Sequence, residues 1–267
     1  MLAVIRVRLL VALVVVSALS ALLALVAFSP EAKANHSWGG YHWARTSNPF
    51  TLMLSDNVSS QWDPILATTS KDWSTSTVLD TRITAGQAKS KNCRPTTGRV
   101  EVCNGTYGNN GWLGIAQIWA SGKHITQGTT KVNDTYFNTP KYNTTAWRNL
   151  VMCQEVGHTF GLDHQDENFD NANLGTCMDY TSDPTTNQHP NQHDYEELVA
   201  IYSHLDSTTT VSAASAASGV PAAASRGNLN SRAEWGRKIR ESRSGKLELW
   251  VRGFGNGNRV FTFVIEA

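Results

Sequence analysis

Apolar residues along this chain fall into a helical period in three places and into short alternating runs elsewhere. Ile65, Leu66, Thr69 and Trp73 follow Asp63-Pro64, an acceptor cap before a proline whose missing N–H costs nothing there, and predict a helix over 63–73. Trp147, Leu150, Val151 and Cys153 share the apolar side of a second helix over 145–160, and Tyr195, Leu198, Tyr202 and Leu205 that of a third over about 194–205. Phe50–Leu54 alternates as a short strand. Thr77–Leu79, Val100–Val102, Trp112–Trp119 and His124–Asn133 read as further strands among Gly-, Thr- and Asn-rich loops. Near the C terminus, Leu247–Val251 and Val260–Val264 flank Gly253–Asn258, a hairpin signal.

The two ends have a different composition. Arg6 and Arg8 precede an apolar run from Leu9 to Phe28, and Ala32-Lys33-Ala34 supplies a small-x-small cleavage site. That order reads as a secretory signal peptide over 1–34. Because about 20 apolar residues can span a bilayer, an uncleaved N-terminal anchor is the alternative. Either way the functional part is expected outside the cytoplasm. Residues 207–230 are rich in Ser, Thr and Ala with few charges and read as a linker. This leaves one enzyme-sized domain over 35–206 and a small C-terminal β segment over 231–267. That segment is too short to stand alone and is expected to dock on the domain or on a partner. Across 267 residues the net charge is +1, so charge offers no argument for nucleic acid or a membrane surface as partner.

The chemistry gathers in one stretch. Gln154 and His158 lie four apart and share a face of the second helix. Gly161 lets the chain leave the helix, and His164 can swing back toward His158. Glu155 stands one residue off that face, able to touch a metal-bound water without ligating the metal, as a general base must. Cys177-Met178-Asp179-Tyr180 follows downstream. Together these residues resemble the metzincin zinc peptidases of matrixin and astacin type, whose signature is H-E-x-x-H-x-x-G-x-x-H with a later methionine turn. The match departs at its first position, where this chain has Gln154.

The resemblance covers roughly residues 38–206 and implies an α+β fold with a twisted, mixed five-stranded sheet and three helices. It implies a Zn²⁺ cofactor, Met178 as a hydrophobic floor, and Tyr180 as a stabiliser of the tetrahedral intermediate. Zinc is expected on His158, His164 and Gln154, whose amide oxygen has the reach of an imidazole nitrogen but is a weaker donor. Two alternatives stay open. His189, His193 or His124 could supply the third ligand, or the site could bind metal poorly.

The expected function is a secreted, monomeric zinc endopeptidase acting on protein or peptide substrates. The alternative is a catalytically silent metzincin-shaped binding or adhesion protein. In the family an edge strand above the cleft pairs with substrate, and Gly111–Gln117 is the candidate, an ordinary interior strand being the plainer reading. No long propeptide separates the signal from the first strand, so latency through a pro-domain is not expected. Four cysteines allow three connectivities. Cys93–Cys103 across a Pro-Thr-Thr-Gly turn and Cys153–Cys177 clamping the signature helix to the methionine turn are expected, the rival being Cys93 as a zinc-plugging latency cysteine. Asn35, Asn57, Asn104, Asn133 and Asn143 each begin an Asn-x-Ser/Thr sequon.

Overall fold

The structure, a computed structural model, describes residues 36–87, 92–211 and 229–267. The expected signal peptide and most of the expected linker lie outside the described residues. Nine strands form one mixed sheet: β1 (His42–Trp43), β2 (Phe50–Asn57), β3 (Leu79–Ala85), β4 (Arg99–Gly105), β5 (Trp112–Ser121), β6 (His124–Asn133), β7 (Arg237–Glu241), β8 (Leu247–Gly255) and β9 (Asn258–Glu266). The helices are α1 (Asp63–Trp73), α2 (Asp134–Phe137), α3 (Thr145–His158) and α4 (Gln192–Ile201). Across the sheet the order is β3-β2-β4-β6-β5-β9-β8-β7, with β1 beside the first residues of β6.

The α+β class is as expected, but the sheet has nine strands rather than five, and the described residues hold four α-helices rather than three. Two of the four additional strands carry little apolar signal. β1 is only two residues long, and β7 reads Arg-Lys-Ile-Arg-Glu, with none of the apolar alternation of a half-buried strand. Charge is what an edge strand carries to discourage pairing with other chains. The remaining difference is that the C-terminal β segment continues the same sheet through β9 on β5.

Half of the sheet is parallel and half antiparallel. β3, β2, β4 and β6 run parallel, which requires crossovers such as α1 between β2 and β3. From β6 to β7 every pairing is antiparallel. Asn256 and Gly257 join β8 to β9 with φ of 50° and 76°, the positive pair that a two-residue type I′ hairpin needs. β5 is buried along almost its whole length because both faces are covered. On one face lie α1 and α3, tied together where Trp73 Nε1 donates to Cys153 O at 3.2 Å. On the other, Trp112, Ile115 and Trp119 pack with Leu229, Trp235, Val260 and Val264.

Local signals set the helix ends. Thr144 accepts from the Trp147 amide to start α3, and Asn191 and Asp194 form a capping box on α4. Asp63 falls inside the first turn of α1 rather than at its cap; Trp62 holds the cap position without a side-chain bond. Asn133 caps α2 and is fully buried, its amide donating to Gly108 O, Asn110 Oδ1 and Trp112 O. Its sequon is therefore closed to glycosylation in the folded chain.

Both expected disulfides are present, Cys93–Cys103 and Cys153–Cys177, with no free cysteine. The latency-plug reading of Cys93 is thereby excluded. Disulfides persist in oxidising compartments. Among the described residues no helix is long and apolar enough to cross a membrane.

Candidate active site and metal centre

α3 carries Gln154, Glu155 and His158, all buried. The helix ends at His158 and the chain turns away at Gly161, whose φ of 102° favours glycine and whose absent Cβ leaves room for the Tyr41 carbonyl oxygen. The returning loop is pinned from the N-terminal side. Ser37 bridges Leu162, Asp163 N donates to His36 O, and Trp38 Nε1 donates to His158 O at 3.0 Å. His164 is thereby brought back to His158, with ring centroids 4.4 Å apart and planes at 76°.

The 177–180 turn closes the site from beneath. Gln165 N donates to Met178 O at 2.7 Å and Tyr180 N to Asp166 O at 3.2 Å. Cys153–Cys177 joins this turn to α3 across a Cα–Cα distance of 5.9 Å. Met178 lies directly under the helix: a Cβ on Gly157 would stand 2.7 Å from Met178 Sδ and 2.7 Å from Trp73 Cζ2. Tyr180 is buried with its ring 4.6 Å from that of His164.

Burial dominates the electrostatics. It pushes the Glu155 carboxyl well above its ordinary value and the His158 imidazole well below, His164 adding to the second effect. His164 is also lowered by burial, with Asp163 opposing. Tyr180 is raised well above its ordinary value by burial and then by Glu155. Neutral His158 donates from Nδ1 to Leu162 O at 2.9 Å, which leaves Nε2 as its lone-pair nitrogen, the tautomer a metal ligand needs.

Several polar atoms here have no hydrogen-bond partner: both amide atoms of Gln154, Glu155 Oε2, and both ring nitrogens of His164. His164 Nδ1 lies 3.4 Å from Asp163 Oδ1, an ion-pair separation without hydrogen-bond geometry. An unsatisfied buried polar atom costs about 1–3 kcal/mol. A cluster of them along one helix and its returning loop fits a bound cation, with amide and imidazole donors suited to zinc.

None of the other candidate histidines joins this group. His189 is exposed and bonds Asp72 at 2.6 Å, His193 stacks on His36, and His124 stands with His42 and Asp206. His164 also has Asp163 and Glu167 nearby, a possible ligand set by distance alone. Arg240 occupies those carboxylates, with two bonds to Asp163 at 2.7 and 2.5 Å and Nε 3.4 Å from Glu167. Burial pushes the Asp163 carboxyl up, but His164 and Arg240 outweigh it and hold it well below the usual range.

β5 and β9 form the roof. Gly114 lets β5 approach α3 closely, since a Cβ there would stand 2.6 Å from Val151 Cγ1 and 2.9 Å from Glu155 Oε1. The Gly111–Gln117 edge expected to pair with substrate is taken: β9 pairs along β5 from Trp112↔Glu266 to Ser121↔Asn258. From β9, Phe263 stacks on His158 with centroids 4.2 Å apart and planes at 14°. His158 and Glu155 are each 1% exposed. Phe263 and Arg240 escape a sequence reading because neither belongs to a local motif; only strand register brings them to the site. No family model and no curated protein matches this chain.

Proposed function

We propose that this chain is a secreted zinc-dependent endopeptidase of metzincin type, held closed by its own C-terminal strands. The observation that carries the reading is the buried, unpartnered polar set of Gln154, Glu155 and His164 beside a His158 whose tautomer is fixed for ligation. His158, His164 and Gln154 would hold the metal. Zinc, when bound, supplies a Lewis acid that acidifies a water and polarises the scissile carbonyl. Glu155, whose Oε2 has no hydrogen-bond partner, would as a carboxylate accept the proton of the attacking water and deliver it to the leaving amine. Tyr180, kept protonated by its raised pKa, donates a hydrogen bond to the developing oxyanion. Met178 fills the space beneath α3 and keeps the histidines in place. The disulfides and the N-terminal charge-then-apolar pattern support secretion.

A substrate strand would need the β5 edge that β9 now pairs with, and access past Phe263. The enzyme is therefore read as latent, opening when β9 leaves β5. The same closure favours a second reading, a silent binding protein in which the polar set is a relic. The deciding experiment measures zinc by atomic spectroscopy in wild type and His158→Ala, alongside chelator-sensitive cleavage of a denatured protein by an Arg240→Ala/Phe263→Ala variant. Loss of one zinc equivalent on His158→Ala together with cleavage by the opened variant is expected. A zinc-loaded opened variant that cleaves nothing overturns the peptidase reading in favour of the binding protein.

A further inference from the structure

We propose a second metal site, distinct from the one beneath Phe263, formed by His42, His124, His204 and Asp206 and suited to Zn²⁺. β1 pairs with β6 so that His42 and His124 are register partners. After α4 the chain is laced back onto the segment that follows β1. Asp206 N donates to Arg45 O, Thr210 N donates to Ala44 O, and Ala44 N donates to Thr210 Oγ1, each at 2.9 Å. His204 and Asp206 thereby reach the same corner.

Four donor atoms converge there. Nε2 of His42 is 3.2 Å from Nε2 of His204 and 3.5 Å from Asp206 Oδ1. Nε2 of His124 is 3.2 Å from Asp206 Oδ1, and Nε2 of His204 is 3.8 Å from it. Ligands about 2.0–2.1 Å from a tetrahedral zinc stand about 3.3 Å from one another, close to three of these separations at 3.2–3.5 Å, with His204 to Asp206 wider at 3.8 Å.

The surrounding bonds orient these atoms inward. His42 Nδ1 lies 2.9 Å from Gly40 O. A carbonyl only accepts, so Nδ1 donates there, and Nε2 is the ring atom that faces Asp206 Oδ1. Both are metal-ligating atoms, and a cation between them would take both. Arg45 binds the other carboxylate oxygen, Oδ2, from its guanidinium at 2.9 Å and its amide at 3.2 Å, leaving Oδ1 to the histidines. His42 and Asp206 are largely buried, whereas the His124 and His204 side chains are 40% and 51% exposed, which gives an ion a path in. Three imidazoles and one carboxylate exclude calcium and magnesium, which prefer all-oxygen shells, and suit zinc. The ion would staple β1, β6 and the chain leaving α4.

The test uses the full-length protein, stripped by chelator and titrated with Zn²⁺ alone against a chromophoric competitor. A His158→Ala background removes the contribution of the proposed active site, so the two sites fail separately. In that background one tightly bound equivalent is expected to remain and to raise the thermal midpoint. Adding His124→Ala and His204→Ala, both at exposed positions, should abolish the equivalent and the shift together. If the background binds no zinc, a proton rather than a metal joins His42 to Asp206 and the proposal is overturned. Retention of the equivalent in the triple variant overturns it as well.

Discussion

Two groups of histidines are built in opposite ways. His158 and His164 come from one continuous stretch, where a helix and a glycine turn bring them together. His42, His124 and His204 come from two strands and a chain segment after the last helix, and meet only because β1 pairs with β6 and residue 206 returns to residue 45. The first group is sealed and full of unpartnered polar atoms; the second is half open, with its outer atoms already bonded. A site whose geometry follows from helical periodicity can be read locally. A site whose geometry follows from register cannot.

The contrast can be tested at the sealed site first. Glu155→Ala is expected to lower turnover of an opened variant by roughly a thousandfold, within the range usual for loss of a general base, while zinc content stays near wild type. Retention of a third or more of the turnover would remove Glu155 from the mechanism. The next effect concerns Gln154. Loss of outer-shell partners alone lowers metal affinity about 10–100-fold, so Gln154→Ala should reach at least the upper end, and Gln154→His should bind zinc more tightly than wild type. Competitive zinc titration reads both; a wild-type affinity in Gln154→Ala would show that the amide is not a ligand.

A smaller change probes the seal itself. Arg240→Ala with Phe263→Ala removes an ion pair and an aromatic stack from the closed form. Each 1.4 kcal/mol lost from closure is about tenfold in the open fraction. Turnover by this variant should therefore exceed wild type by about tenfold, and equal rates would mean that β9 does not limit access.

The smallest effect extends the contrast to a buried polar group that does have partners. Lys131, on the opposite face of the sheet, donates to Gln117 Oε1 and Asn230 Oδ1, and burial lowers its pKa to about 7. The unfolded chain keeps this lysine protonated to a higher pH, so between pH 7 and 9 it binds more protons than the folded form. Stability contributed at this position therefore rises with pH across that window, and is flat below it where both forms are charged. Lys131→Met does not titrate, so any stability advantage it holds at pH 7 should shrink by pH 9. Paired denaturant titrations would show it, and a constant difference would mean that the folded lysine is not shifted.

Much of this architecture was legible in the chain. The apolar periods announce α1, α3 and α4 to within a few residues, and the cysteine placement announces both disulfides. The rest was hidden for identifiable reasons. β7 is charged because it is an edge, so it carries no apolar signal. β5 resembles an edge strand when only the first 206 residues are considered, and becomes interior through a partner strand beginning at Asn258. His189, His193 and His124 looked available because a sequence does not show direction; the structure sends each elsewhere.

The sequence by itself determined the spacing of Gln154, Glu155, His158, Gly161 and His164, because positions on a helix and the turn after it depend on neighbours a few residues away. It also determined the Asn256-Gly257 hairpin, whose positive φ angles are a local property. Only the tertiary structure decided that β9 would seal the site and that four donors from residues 42, 124, 204 and 206 would converge. Both depend on strand register between distant segments, and register is set by the summed burial of whole strand faces rather than by any short motif.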